Sequence, residues 1–152
     1  MIDSKKLDLL LVPLSKKVID ETVALKSEVF KDTTHPSKIY NMVLKEKLLN
    51  EEYVVFEAKY NDELVGGAFV TYIVLDGEPI LILEYIFVKD EYQNKGIGTR
   101  LLKYIFDNIP ILNKMFDQEF KKWMLNPFNI DKEFYEKLGF SYSDSVYMTK
   151  NI

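Results

Sequence analysis

Ile82-Leu83-Glu84-Tyr85-Ile86-Phe87-Val88, then Gln93-Asn94-Lys95-Gly96-Ile97-Gly98, then Thr99-Arg100-Leu101-Leu102-Lys103-Tyr104-Ile105-Phe106, is the stretch that decides the fold. Its first part belongs to a nearly continuous apolar run from Pro79 to Val88, the pattern of a central strand buried on both faces. Glu84 interrupts that run. The last part carries Leu101, Leu102, Ile105 and Phe106 at helical spacing, so a helix opens near Gly98 and is limited by Pro110. Between the two, glycines let the backbone turn sharply and approach a ligand with no Cβ in the way. Unpaired N–H groups at the helix start and the helix dipole together suit a phosphate or pyrophosphate. Lys95 and Arg100 add cationic contacts. The same glycines also suit a plain strand-to-helix turn. A Walker loop would need Gly-Lys-Ser/Thr, and a dinucleotide fingerprint would need a third glycine where Leu101 stands.

Working outward from this stretch, the chain reads as one alternating series. Leu7–Leu14, closed by Pro13, is an expected edge strand. Ser15–Phe30 places Val18, Ile19, Thr22, Val23 and Val29 on one helical face. After a polar break from Lys31 to Pro36, Ser37 is read as the cap of a second helix with Ile39, Met42, Val43 and Leu49 on its buried face. Tyr53–Tyr60 is a strand in which Val54, Phe56 and Ala58 alternate against Glu57 and Lys59. Asn61-Asp62 turns the chain into Leu64–Leu75, and Asp76-Gly77 is a strong hairpin signal into Glu78–Lys89. Gly66-Gly67 marks either a bulge or the close approach of another group. A polar loop covers Asp90–Lys95. Beyond the helix, Ile111–Lys122 is ambiguous between loop and partial helix, and Trp123–Leu125 reads as a short strand. Asp131–Leu138 reads as a helix stopped by Gly139, and Phe140–Thr149 as a last strand. The fold class is therefore α+β: a single domain over 1–152 with a mixed, mostly antiparallel sheet flanked by helices, in the order β-α-α-β-β-β-α-β-α-β.

Composition narrows the function. The chain has 152 residues, with 47% hydrophobic and 29% charged residues, which is globular composition. The absence of cysteine excludes disulfides, thiolate metal sites and a cysteine nucleophile, and the single His35 argues against zinc sites and histidine triads. Arg100 is the one arginine, and the net charge is −4, so nucleic-acid binding is disfavoured. No apolar run reaches the length of a membrane span, and the first residues lack the order of a secretory signal. The expectation is a cytoplasmic protein, acting without metal, nucleic acid or membrane.

A second motif lies at Asn126-Pro127-Phe128-Asn129 and Phe134-Tyr135-Glu136-Lys137-Leu138-Gly139-Phe140. Taken with the first, the chain resembles the GNAT superfamily of acyl-CoA-dependent N-acetyltransferases. Their pattern is a valine-ended strand, Gln/Arg-x-x-Gly-x-Gly/Ala opening a helix, then asparagine and Phe-Tyr-x-Lys-x-Gly-Phe. Val88, Gln93, Gly96, Gly98, Asn129, Phe134, Tyr135, Lys137, Gly139 and Phe140 match. The spacing from the asparagine to Tyr135 is about one residue short, so the asparagine contact falls on Asn129 or Asn126. Asp90 stands where a proline is frequent after the strand.

The resemblance implies an acetyltransferase fold and acetyl-CoA as cosubstrate. Its pyrophosphate would meet the loop Gln93, Asn94, Lys95, Gly96, Ile97, Gly98 and Thr99, with Arg100 beside it. The strand backbone at Phe87 or Val88 would hold the thioester oxyanion. The acceptor amine must lose a proton before it attacks, since an ammonium has no lone pair. Glu84 is the candidate base; the alternative is a structural carboxylate that faces solvent or pairs with a lysine. Tyr135 is the candidate acid toward the departing thiolate, against a plain buried aromatic. His35 is expected to be solvated, with an acceptor contact as the lesser reading. The implied reaction is acetyl transfer to a primary amine of a small molecule or peptide by direct attack in a ternary complex, with a homodimer as a family habit. A non-catalytic acyl-CoA sensor on the same fold, or another anion-binding α/β domain, are the rivals.

Overall fold

The computed structural model describes residues 2–50, 52–125, 132–142 and 148–152. The elements are β1 (Leu7–Val12), α1 (Lys16–Phe30), α2 (His35–Leu49), β2 (Val54–Tyr60), β3 (Glu63–Leu75), β4 (Glu78–Val88), α3 (Ile97–Asp107), α4 (Ile109–Phe116), β5 (Lys122–Leu125), α5 (Lys132–Lys137), β6 (Ser141–Tyr142) and β7 (Met148–Asn151). The strands form one sheet in the order β1-β2-β3-β4-β5-β7-β6, so β1 is an edge as its proline-closed sequence requires. β1 and β2 are antiparallel, β5 and β7 are antiparallel, and β4 and β5 are parallel. The α+β class expected from sequence holds, and the expected order changes in two places: α4 is added between α3 and β5, and two short strands, β6 and β7, stand where one was read.

Two compact units divide the chain: Met1–Phe69 with Tyr85–Asp107, and Val70–Glu84 with Asn108–Ile152. In the first, Ile19, Val23 and Leu25 of α1 and Leu44 and Leu48 of α2 pack with Val55, Phe69 and Phe87 of the sheet. A smaller cluster joins Ala58, Val65 and Ile97. Phe56 meets Tyr104 of α3 with ring centroids 5.9 Å apart. β2 is thus covered on both faces, and Val54 through Ala58 are all buried. That corrects the alternation read from sequence: Glu57 is not on a solvated face but is 3% exposed. In the second unit, Trp123 packs on Phe140 at 5.2 Å, and Tyr72 meets Phe116 at 4.9 Å and Phe120 at 5.6 Å.

Several local readings are also corrected. α2 begins at His35, because Thr34 is its cap: Thr34 Oγ1 accepts from the Ser37 N–H at 3.2 Å, and Pro36 sits in the first turn, where its missing N–H costs nothing. His35 therefore opens a helix rather than lying in a loop, and it is exposed. The buried face of α2 is Asn41, Leu44 and Leu48, whereas Ile39, Met42, Val43 and Leu49 are 47–68% exposed. α1 and α2 meet through a narrow i, i+3, i+7 stripe, and the second apolar stripe points outward. On β4, Ile82, Glu84, Tyr85, Ile86 and Val88 are only partly buried, so that strand is not sealed on both faces. α4 begins at Ile109 with Pro110 in its first turn and runs to Phe116, so the first half of the ambiguous stretch from Ile111 is helix. The last strand is two short pieces, β6 and β7; residues 143–147, between them, lie outside the described residues.

The glycine pair on β3 marks a close approach. A Cβ at Gly66 would stand 2.9 Å from the Phe87 carbonyl oxygen, and one at Gly67 would stand 2.9 Å from the Phe87 ring. Both hairpin turns form as expected: Asn61 and Asp62, then Asp76 and Gly77, take the left-handed conformations of a type I′ turn.

Candidate active site

β4 delivers the chain into the glycine loop through a single 3-10 turn at Asp90–Tyr92. Gln93 braces the entry to that loop. Its side-chain Nε2 donates to the Val88 carbonyl at 2.9 Å and to Asp90 Oδ1 at 3.2 Å, and its backbone N–H donates to the Asp90 carbonyl at 3.2 Å. Asn94 and Gly96 then adopt left-handed conformations, with φ of 62° and 82°. Asparagine tolerates that region and glycine favours it. A Cβ at Gly96 would meet nothing within 4 Å, so the loop there is open. Ile97, 1% exposed, anchors the start of α3 beneath it.

The first bond inside α3 runs from the Arg100 N–H to the Gly96 carbonyl at 3.1 Å. The N–H groups of Ile97, Gly98 and Thr99 therefore precede the helix ladder and have no acceptor within it. The helix dipole adds partial positive charge at the same end. Lys95 and Arg100 are exposed beside it. These groups fit a pyrophosphate: three main-chain donors, an open loop and two exposed cations. Since the Gln93 N–H and amide are already engaged, Gln93 shapes the loop.

At the end of β4, the Lys89 N–H donates to the Val65 carbonyl of β3 at 2.7 Å. Alternation turns the Val88 main-chain groups to the opposite edge, where the Val88 carbonyl receives Gln93. The register of β4 with β5 runs from Ile80↔Lys122 to Leu83↔Leu125, and β4 continues through Glu84 to Val88. Glu84 is the first residue past that register and is partly buried.

In the second unit, Tyr135 of α5 is 4% exposed. Its ring lies 5.1 Å from Phe134 and 6.1 Å from Phe140. Burial pushes its hydroxyl up to about 12. The helix end is fixed by the Phe140 N–H on the Tyr135 carbonyl at 3.1 Å and by Lys150 Nζ on the Leu138 carbonyl at 2.6 Å. Gly139, at φ 92°, makes room for that lysine. Asn126, Asn129 and Asp131 lie outside the described residues.

Sequence reading missed one polar cluster. Lys26, Asp32 and Asn41 bond to one another between α1 and α2, with Lys26 only 3% exposed. The signal was present: Lys26 continues the Ile19–Thr22–Val23 stripe at helical spacing, where a lysine needs buried partners. No group of three or more His, Cys, Asp or Glu capable of holding a metal occurs among the described residues.

The family model of the acetyltransferase (GNAT) domain matches residues 50–142, which include β4, the loop, α3 and α5. The chain belongs to the GNAT acetyltransferase family. No curated protein sequence matches this GNAT chain. Among solved structures it is similar to PH1933 of Pyrococcus horikoshii, with 21% identity, a TM-score of 0.71, and coverage of 96% of this chain and 98% of that one. A predicted acetyltransferase of Clostridium acetobutylicum, solved with acetyl-CoA, has 16% identity, a TM-score of 0.69 and coverage of 91% and 92%. Arabidopsis thaliana Naa50, in complex with the bisubstrate analogue CoA-Ac-MVNAL, has 20% identity, a TM-score of 0.66 and coverage of 97% and 99%. At these identities the likeness is one of fold, and it spans nearly the whole GNAT chain. No helix among its described residues is long and apolar enough to cross a membrane.

Proposed function

We propose that this GNAT enzyme moves an acetyl group from acetyl-CoA to a primary amine of a small molecule or peptide, by direct attack in a ternary complex, with residues 1–152 forming one acetyltransferase domain. The observation that carries the reading is the loop itself. Three main-chain N–H groups, of Ile97, Gly98 and Thr99, stand outside the helix ladder behind an open Gly96, a cradle suited to a pyrophosphate. Asn94, Lys95 and Arg100 complete its rim, and Gln93 holds its shape. The second observation, that the C. acetobutylicum relative was solved with acetyl-CoA, favours CoA over other pyrophosphates.

The thioester oxygen gains charge as the amine attacks. Of Phe87 and Val88, the alternation that sends the Lys89 N–H toward β3 favours the Val88 N–H as its donor. Glu84, four residues earlier on the same strand, takes the proton from the incoming ammonium, directly or through water. The C–N bond forms, the C–S bond breaks, and the CoA sulfur leaves as a thiolate. Tyr135 donates to that sulfur. Burial pushes the Tyr135 hydroxyl up to about 12, so Tyr135 holds its proton at neutral pH; as general acid it passes that proton to the departing sulfur and is reprotonated from solvent. Asn129 or Asn126 would add a polar contact to the cofactor.

Thiol release from acetyl-CoA, measured across a panel of amines, tests this reading. The expected result is amine-dependent release by the wild type and a fall of at least about tenfold for Glu84→Gln. Acetyl-CoA binding with no release for any amine would instead favour a non-catalytic acyl-CoA sensor.

A further inference from the structure

β3 carries two adjacent glycines, Gly66 and Gly67, inside the strand, where glycine weakens the sheet and packs no side chain. Neither takes a positive φ, so their backbone conformation is open to any residue. The reason for glycine is space, and the two positions need it for different neighbours. A Cβ at Gly67 would stand 2.9 Å from Cζ and 3.1 Å from Cε2 of the Phe87 ring, and 3.1 Å from the Phe56 carbonyl oxygen. A Cβ at Gly66 would stand 2.9 Å from the Phe87 carbonyl oxygen, with Val88 Cγ2 at 3.5 Å and Ala58 Cβ at 3.6 Å also in contact. The clash at Gly67 is closest on a ring. The clash at Gly66 is closest on backbone.

That carbonyl is one end of the peptide unit joining Phe87 to Val88, and the Val88 N–H is the other. The unit is planar and trans, so its C=O and N–H point in opposite directions and turn together. The strand on either side of it is held. The Lys89 N–H donates to the Val65 carbonyl at 2.7 Å, and the Phe87 ring, 2% exposed, packs on Phe69 at 5.4 Å. A methyl at Gly66 therefore meets one soft response: the peptide tilts about its two flanking Cα atoms and carries the Val88 N–H with it. The Val88 carbonyl receives the Gln93 side chain at 2.9 Å, which marks the side of the strand to which the Val88 N–H also belongs.

We propose that Gly66 is a positioning residue for acetyl transfer: its missing Cβ lets the Phe87–Val88 peptide stand with its carbonyl against β3 and its N–H turned toward the thioester oxygen. The proposal rests on the acetyl-transfer reading given above, with the Val88 N–H as donor to that oxygen. It assigns Gly66 no contact with either substrate. Its consequence is a separation of effects. The polarisation of the thioester depends on the direction of one N–H, whereas CoA affinity depends on the loop donors from Ile97 to Thr99.

The test uses the full chain as wild type, Gly66→Ala and Gly67→Ala. Acetyl-CoA affinity is measured by calorimetry and stability by thermal melts. Acetyl-CoA isotopically labelled at the acetyl carbonyl gives an infrared band for the bound thioester, a readout that needs no acceptor. In the wild type that band is expected below the band of free acetyl-CoA, as a polarised carbonyl requires. In Gly66→Ala most of the shift is lost and kcat with the best amine of the panel falls about tenfold or more, while acetyl-CoA affinity stays within about threefold. Gly67→Ala loses stability but keeps the band at its wild-type position. Should Gly66→Ala fail to fold, Gly66→Ala/Val88→Ala removes the methyl 3.5 Å away and carries the same expectation against Val88→Ala. A wild-type band position or an unchanged kcat in Gly66→Ala overturns the proposal. So does an equal loss of shift in Gly67→Ala, a parallel loss of acetyl-CoA affinity, or failure of both Gly66 variants to fold. A wild type that binds acetyl-CoA with an unshifted band also overturns it, since the thioester then has no donor to position. A wild type that binds no acetyl-CoA, or turns over no amine of the panel, overturns the transfer reading itself.

Discussion

Gln93 reaches back across the turn between β4 and α3 to donate its side-chain N–H to the Val88 carbonyl at 2.9 Å. One bond thus links the strand that would hold the thioester to the loop that would hold the pyrophosphate. Replacing Gln93 with alanine removes that bond and the one to Asp90. A hydrogen bond of this kind is worth about 1 kcal/mol, so acetyl-CoA binding should weaken about fivefold. Gln93→Glu should be worse, because it places a carboxylate against a carbonyl, Asp90 and the phosphates. Titration calorimetry on the two variants checks the order.

Tyr135→Phe removes a single hydroxyl from a site already lined by Phe134 and Phe140, so the fold should be retained. The expectation is that kcat falls about 10- to 100-fold while the acetyl-CoA KM stays within about twofold, the signature of an interaction made as the sulfur leaves. The pH dependence has a definite sign. A hydroxyl held near 12 stays protonated across the working range. An alkaline limb between about pH 8 and 10, if present in the wild type, must therefore persist in Tyr135→Phe.

Glu57 is a buried carboxyl whose pKa is raised, first by desolvation, with Lys59 opposing and Glu21 reinforcing. The folded protein then holds its proton more tightly than the unfolded chain does. The resulting stability is present below the ordinary carboxyl value of 4.5 and is lost as pH rises through the folded value. Glu57→Gln keeps a neutral group at every pH. Its melting temperature should exceed that of the wild type at about pH 7, and the gap should shrink toward about pH 4. Melts at both values decide it.

The two stripes of α2 make opposite predictions for residues two positions apart. Met42 is 68% exposed and Leu44 is 1% exposed. Met42→Lys should change stability by less than about 0.5 kcal/mol. Leu44→Ala should cost about 2–5 kcal/mol through the cavity it leaves. Denaturant melts of both variants separate the two faces.

Features are legible in the sequence where local chemistry alone decides them. Asp76-Gly77 and Asn61-Asp62 dictate their own turns, and Gly96 with Gly98 marks the loop, because left-handed backbone and close approach leave few alternatives. α2 could not be resolved in the same way. Ile39, Met42 and Val43 form a sound apolar stripe, and so do Leu44 and Leu48. Nothing local says that the face bearing Asn41 turns inward. That choice is made by Lys26 and Asp32, which lie on other segments. Glu57 failed for a related reason. Alternation of polar and apolar residues signals a half-buried strand, but β2 is covered by α1 and α2 on one face and by α3 on the other. At the site, the loop and Tyr135 were legible through their motifs. The division of labour within the loop, with Gln93 as a brace and Ile97 to Thr99 as donors, required coordinates.

Calorimetric titration of the purified chain with acetyl-CoA, with ATP and NAD as controls, addresses the central claim most directly. The predicted result is saturable binding of one acetyl-CoA per chain, with ATP and NAD failing to compete. No binding of acetyl-CoA, or equal binding of all three, would contradict it and reduce the Gly96–Gly98 loop to a turn or a general phosphate site.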